Sequence, residues 1–206
     1  WGWDRQQDLG FPRGYHIEIG GGYEMPGIGS FAGTARRSGY GAVLKQQIRQ
    51  DYGTRVSFAG RGEMIPNARS FCEIDPKTVD RFNIPVLRFH FAWSQHELRQ
   101  AQHMREVFTE LITLMGGDPQ SPTSHRTASI SIGGSIIHEV GTVCMGDDPQ
   151  QSVLNGFCQA HDAENLFVCD GGSLVSNPDK NPTLTINALA WRASEYLAEE
   201  MRSGNL

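Results

Sequence analysis

Apolar positions recur along the chain in two periods. Tyr15 to Ile19 alternates polar and apolar residues, the mark of a strand with one covered face, and runs into Gly20-Gly21-Gly22. Gly41 to Tyr52 carries sparse apolar positions and predicts a short surface helix. Gly60, Gly62 and Pro66 punctuate the next stretch, after which Ser70 to Ile74 predicts a strand closed by a turn at Asp75-Pro76. A further strand is expected from Pro85 to Phe91, through Val86, Leu87, Phe89 and Phe91. The period then lengthens: Leu98, Ala101, Met104, Phe108, Leu111 and Met115 fall three or four residues apart, with Ile112 four after Phe108. This predicts a helix of about six turns, opened by Ser94 as its N-cap and stopped at Gly116-Gly117. Ser129 to Ile137 alternates again and predicts a strand that delivers His138 at its end. Asn165 to Cys169 predicts a short buried strand running into Asp170-Gly171-Gly172. The clearest element is last: Asn181 at the cap, Pro182 at the first helical position, then Leu184, Ala188, Leu189, Trp191, Ala193, Tyr196, Leu197 and Met201 on one broad face.

These elements show no strand-helix-strand alternation, so the expected class is α+β: a largely antiparallel sheet with flanking helices, the last strand and helix belonging to a neighbouring layer. At 206 residues and 38% hydrophobic, the chain can bury one generous core or two small ones. Its net charge of -5 comes without any Lys/Arg run, so it lacks the footprint of a nucleic-acid binder. No window approaches the ~18 consecutive apolar residues of a membrane helix. Four cysteines are too few for a disulfide scaffold, and Cys169, within an apolar run, reads as a buried hydrophobe. The opening Trp1-Gly2-Trp3-Asp4 shows neither an initiator Met nor a signal-peptide pattern. The expectation is a chain whose beginning is missing, which leaves its compartment open.

The glycine run after Tyr15–Ile19 invites a dinucleotide-loop reading. Such a loop needs a helix directly behind it, and Glu24-Met25-Pro26-Gly27-Ile28-Gly29 is built against one, so a Gly-rich connection is expected. Among the histidines, His16, His90, His96, His103 and His125 sit on polar strand or helix faces or in loops and read as surface or satisfied polar side chains. His138 differs: it follows an apolar stretch and precedes Gly141-Thr142, where the backbone can be approached closely, so its imidazole can lie in a cleft and move a proton. Spacing alone does not separate that role from a satisfied structural histidine. A zinc-protease reading of His138-Glu139 fails because Thr stands at position 142. The set His138, Cys144, Cys158 and His161 contains a single close pair, so no metal is assigned. Gly133-Gly134-Ser135-Ile136-Ile137 lacks the trailing glycine of a nucleophile elbow. Asp170-Gly171 and, a loop later, Asn181-Pro182-Thr183 put a helix start, with its unpaired N–H groups and partial positive charge, where a phosphate or an anionic ring could bind. Simple capping by Asn181 accounts for the same pattern.

Taken together, several motifs in one order carry a resemblance. His138-Glu-Val-Gly-Thr-Val-Cys-Met-Gly146-Asp-Asp-Pro149, Ser152-Val-Leu-Asn155, Asn165-Leu-Phe-Val-Cys-Asp170-Gly171, and Asn181-Pro-Thr-Leu-Thr-Ile186 with Ala188-Leu-Ala190 resemble the C-terminal signature of the glucose-methanol-choline (GMC) family of flavin oxidoreductases. More loosely, Glu63-Met-Ile-Pro66-Asn67, Phe82-Asn-Ile-Pro85 and the helix after Ser94 resemble that family's substrate-binding domain.

The resemblance implies a division into a connecting segment (residues 1–59), a substrate-binding domain ending in the catalytic His loop (60–164), and a strand and helix returning to an FAD-binding domain (165–206). It implies that His138 takes the alcohol proton while the carbinol hydride goes to flavin N5, and that Asn181 hydrogen-bonds the same oxygen. Asp170 and Gly171 would contact the phosphate and ribityl region of FAD, with Pro182 and Thr183 against the isoalloxazine ring. Val143-Cys144 departs from the small residue and Arg of many relatives. The implied activity is FAD-dependent oxidation of a CH–OH group in a sugar, glycoside or polyol, with a small-molecule alcohol or carbohydrate as substrate and a quinone or an electron-acceptor protein as partner. Chemistry agrees, because an alkoxide is the better hydride donor and a neutral imidazole can supply the base. The family's G-x-G-x-x-G fingerprint is not found in these residues, so the chain alone is expected to bind FAD weakly or not at all and to be inactive by itself. The rival expectation is a non-catalytic lobe that binds a partner or completes an assembly.

Overall fold

The computed structural model describes residues 9–21, 28–119, 130–135 and 137–206. They divide into a smaller unit, Ile17–Arg61, and a larger one made of the residues up to His16 together with Gly62–Leu206. In the smaller unit β1 (Tyr15–Gly21) pairs with β2 (Val56–Gly62), and α1 (Ile28–Ser38) packs on α2 (Gly41–Asp51). The pairing requires a glycine at position 21, where φ is +121° and a Cβ would come within 2.3 Å of the Arg55 carbonyl oxygen. The strand at Tyr15 and the surface helix at Gly41 match their patterns, and α2 buries no residue. Two elements escape the pattern. β2 runs through Gly60 and Gly62, which read as breakers, and α1 opens at Ile28, inside the stretch read as hostile to a helix. Pro26 precedes that helix and so removes no N–H from its interior. The connection at 22–27, on which the phosphate-loop question turns, lies outside the described residues.

In the larger unit β3 (Phe71–Val79) runs antiparallel to β4 (Pro85–His90), Phe71 facing His90 and Ile74 facing Leu87. The expected turn at Asp75-Pro76 is instead an irregularity inside a longer strand, between Ile74 and Val79. Asp75 makes this possible: its carboxylate accepts the N–H groups of Lys77 (2.8 Å) and Thr78 (3.1 Å) and the guanidinium of Arg88. The Lys77 N–H is the leading cause that holds the Asp75 carboxyl below its ordinary range.

Next comes α3 (Gln95–Leu114), the long helix predicted from its period, with Ser94 at its N-cap and a complete capping box. Ser94 Oγ accepts the His96 N–H, and the Ser94 N–H donates to Glu97 Oε2 at 2.7 Å. The other oxygen of Glu97 accepts the Ile65 N–H at 3.1 Å, so one buried carboxylate ties the helix start to the chain that leads toward the site. Further along, Gln100 donates to the Gly14 carbonyl, while Met104 and Val107 are buried. Beside them the buried Tyr15 hydroxyl pairs with His103 Nδ1 at 2.8 Å, and burial pushes that phenol up to about 12.

Burial acts to raise the Glu97 carboxyl, yet the hydrogen bonds from Ser94 and Ile65 outweigh it and hold the group low. A depressed carboxylate contributes stability above its ordinary pKa and loses it as pH falls through the lower, folded value. Thermal unfolding followed from neutrality to about pH 3 should therefore show a shallower acid decline in Glu97→Gln than in the wild type. Equal acid slopes would remove Glu97 from the account.

Three expectations change in the second half of the chain. The strand over Ser129–Ile137 is not formed among its described residues: Gly134 has φ +76° and the Ser135 N–H closes a turn onto the Ile132 carbonyl. Glycines in tandem reverse the chain where the alternation suggested extension, and His138 is delivered by a loop. Asn165–Cys169 makes one antiparallel bridge, Phe167 to Gln159, and Leu166 and Cys169 are exposed. Finally α4 (Thr183–Ser203) begins one residue later than expected, because Pro182 occupies the cap position and no side chain caps the helix. Its broad apolar face is mostly uncovered: Ala193 is buried, whereas Leu184 and Trp191 are 81% and 71% exposed. Tyr196 is the face's anchor, stacked on Phe157 at 4.3 Å between ring centres. Among the described residues the observed class is thus mixed α and β, with two small two-stranded sheets in place of one larger sheet. Among the described residues no helix is long and apolar enough to cross a membrane.

Candidate functional site

The loop that follows His138 is pinned to the Asp170 segment by three backbone hydrogen bonds in step. Gly141 N–H donates to the Gly171 carbonyl (3.3 Å), Val143 N–H to Gly172 (3.0 Å) and Met145 N–H to Ser173 (3.0 Å). Gly171–Ser173 forms a buried 3-10 turn capped by Asp170, one of whose oxygens accepts the Gly172 N–H at 2.7 Å. Ser173 Oγ donates to the Asp170 carbonyl, which locks the turn from its other end. Ser173, within the turn, is fully buried, as are Leu154 and Cys158.

Gly171 is where the separate segments meet. A Cβ at this position would stand 2.9 Å from the Glu139 carbonyl oxygen and 3.5 Å from both Val140 Cγ1 and Ile186 Cδ1. The residue after His138 and the first turns of α4 therefore share one contact point, and only a glycine leaves room for it. His138 itself is half-buried, with φ +82°, a left-handed conformation that a side chain adopts at a cost. Its carbonyl accepts a hydrogen bond from Asn177 Nδ2 at 3.0 Å.

The other expected residues fall as follows. Asn181 is exposed and does not cap α4; Pro182 is buried at the cap position; Thr183 is exposed and begins the helix. Among the described residues no hydrogen bond joins the His138 imidazole to the Asn181 amide. What the structure brings together is the His138 loop, the Asp170-Gly171 turn and the opening of α4. With no side-chain cap and no acidic residue in its first turn, the positive end of this helix is left to solvent or to a ligand.

Of the set weighed for a metal, His161 Nε2 is engaged with Ser152 Oγ (3.0 Å) and the Gly146 carbonyl (3.2 Å), and the Cys144 thiol donates to the Gly141 carbonyl. Among the described residues no group of three His, Cys, Asp or Glu side chains could hold a metal ion. Cys169, read from its apolar run as buried, is exposed; partial desolvation and the neighbouring Cys158 thiol raise it.

Sequence reasoning passed over the loop between the turn and the helix. Asn177 bridges backbone to backbone with Met64, while its side chain holds His138. Two residues on, Asp179 takes His16 Nδ1 (3.3 Å) and Lys180 Nζ (2.9 Å). Burial acts to raise the Asp179 carboxyl, and those two partners bring it below its ordinary value. Ser176-Asn177-Pro178-Asp179 shows no periodicity and no motif, so nothing in the pattern marked these roles.

Comparison with known proteins adds an independent line. A family model described as GMC oxidoreductase matches residues 66–190, a span that contains every candidate residue above. A 2-methyl-1,2-propanediol dehydrogenase of Mycolicibacterium austroafricanum is 25% identical over 189 residues, or 92% of this chain. A gluconate 2-dehydrogenase flavoprotein of Pantoea cypripedii is 24% identical over 166 residues, 78% of the chain. A 6'''-hydroxyparomomycin C oxidase of Streptomyces lividus is 36% identical over 123 residues, 60% of the chain. The chain spans 33%, 26% and 22% of the length of these three relatives, respectively.

Proposed function

Because this chain belongs to the GMC oxidoreductase family, we propose that it is the C-terminal portion of an FAD-dependent enzyme that oxidises a CH–OH group of a sugar, glycoside or polyol. The observation that carries the reading is the convergence at Gly171 of the His138 loop and the start of α4. The relatives' names support the class of chemistry: the propanediol dehydrogenase, the gluconate 2-dehydrogenase flavoprotein and the hydroxyparomomycin C oxidase are each named for oxidation of a hydroxylated compound. The diol dehydrogenase matches most of the chain and supports a dehydrogenase; in this reading a quinone or an acceptor protein would take the electrons.

The donor set fits a flavin. An uncapped helix start with no carboxylate in its first turn suits a ring system that gains negative charge. Asp170 and Gly171 would hold the phosphate and ribityl region, and Pro182 and Thr183 would lie against the ring. When bound, FAD supplies the acceptor for the carbinol hydride. The imidazole of His138 takes the hydroxyl proton, which raises the donor power of the carbinol C–H. Asn181 holds the same oxygen by a hydrogen bond that adds no charge. The N–H groups at the start of α4 would stabilise negative charge placed beside them.

The exposed Leu184 and Trp191 on α4 fit a helix whose packing partners belong to an FAD domain built largely from a segment outside these 206 residues. Residues 60–164 would then form the substrate-binding domain and 165–206 the return to the FAD domain. Purifying the chain alone, and again joined to the encoded segment that precedes it, tests this directly. The joined form should carry a flavin spectrum that a sugar or polyol bleaches under anaerobic conditions. A joined form that folds but neither binds flavin nor bleaches would make the chain a non-catalytic lobe.

A further inference from the structure

Granting the role proposed for His138, we propose that Asn177 is the positioning residue that sets the direction of its imidazole. Three observations meet on this side chain. His138 is held at φ +82°, a region where a residue with a Cβ stays only if its surroundings overdetermine it. The Asn177 amide donates to the His138 carbonyl oxygen at 3.0 Å, on the peptide plane that leaves this residue. Asn177 is itself fixed by a two-way backbone bridge: the Met64 N–H donates to the Asn177 carbonyl at 3.0 Å, and the Asn177 N–H returns to Met64 at 3.4 Å.

The physics is short. The sign of φ decides where Cβ points relative to the chain, so a relaxed, negative φ at His138 would aim the ring elsewhere. Downstream, the first fixed point after His138 is the Gly141 N–H on the Gly171 carbonyl, three residues later. Without a nearer restraint the peptide after His138 can rotate. The Asn177 amide is that restraint, and Met64, through the adjacent Ile65 and its bond to Glu97, connects it to the start of α3. Asn177 also precedes Asn181 by four residues, so one short loop places the base and delivers the second hydrogen-bonding residue.

A double-substitution cycle in the complete flavoenzyme tests this. Asn177→Asp keeps the shape of the side chain but turns the donor into an acceptor facing a carbonyl oxygen. Asn177→Ser shortens it, and serves if the Asp variant does not fold; flavin content and thermal unfolding report folding for both. Turnover should fall about 10- to 100-fold, the scale of an ångström misplacement of a reacting group, with KM changed much less. In a His138→Ala background the same substitutions should cost nothing further, because the group they position is gone. Equal fractional losses in both backgrounds, or normal turnover in folded Asn177 variants, overturn the positioning role and leave the base reading intact. Normal turnover in His138→Ala alone overturns the base reading and this proposal together.

Discussion

On the proposed reading, replacing His138 by Ala in the full-length protein should lower turnover by about 10²- to 10⁴-fold while flavin content stays near that of the wild type. The reasoning starts from the chemistry. An alcohol gives up hydride readily only as its proton leaves, so removing the base raises the barrier of the chemical step itself. Nothing comparable holds for flavin retention. The ladder from Gly141, Val143 and Met145 to Gly171, Gly172 and Ser173 uses backbone atoms and does not involve the imidazole. Relief of the left-handed conformation is a smaller effect of the same substitution, since alanine at φ +82° is no better tolerated than histidine. Anaerobic stopped-flow reduction with saturating substrate separates the step from product release. A rate within a factor of about three of the wild type would exclude His138 as the base. On the same reading Asn181→Ala should act in the same direction with a smaller loss, because it would remove one hydrogen bond to the reacting oxygen and leave the base in place.

How much of this could be read from the residues depends on the range of the force that shaped each part. α3 was legible from end to end because its signals are local: a capping serine, apolar residues at three and four, a glycine pair behind. β4 was legible for the same reason. The strand expected at Ser129–Ile137 failed where two glycines outweighed the alternation around them, and the Asp75-Pro76 turn failed because one carboxylate satisfied two N–H groups inside a strand that continues. α4 was placed to within one residue, yet its apolar face is exposed, since periodicity tells which face wants cover and not where that cover comes from. At the site, His138 and the Asp170–Gly171 turn stood out by motif and resemblance. Asn177 did not, because its role exists only once Met64 and His138 are folded against it.

Gly171→Ala should destabilise the protein by about 1–3 kcal/mol and reduce turnover as well, although position 171 carries no side chain that could take part in chemistry. The added methyl would sit 2.9 Å from the Glu139 carbonyl oxygen. That atom is backbone, so it cannot swing aside as the end of a flexible side chain would. Relief has two routes: the His138 loop retreats, or the turn at Gly171–Ser173 shifts against α4, where Ile186 already lies 3.5 Å from the same point. Either route alters the spacing between the His138 loop and the helix start. Gly156 is the fitting control, because a Cβ there meets nothing within 4 Å. Gly156→Ala should leave unfolding within about 0.5 kcal/mol of the wild type, or raise stability slightly by restricting the unfolded chain. Chemical denaturation and steady-state kinetics on the two variants give the contrast. If Gly171→Ala loses stability but keeps full turnover, the loop has yielded without moving the base, and Gly171 is a packing requirement of the fold with no part in aligning the site. If it loses neither, the close approach between the His138 loop and the Asp170 turn is not present in solution, and the convergence on which the catalytic reading depends goes with it.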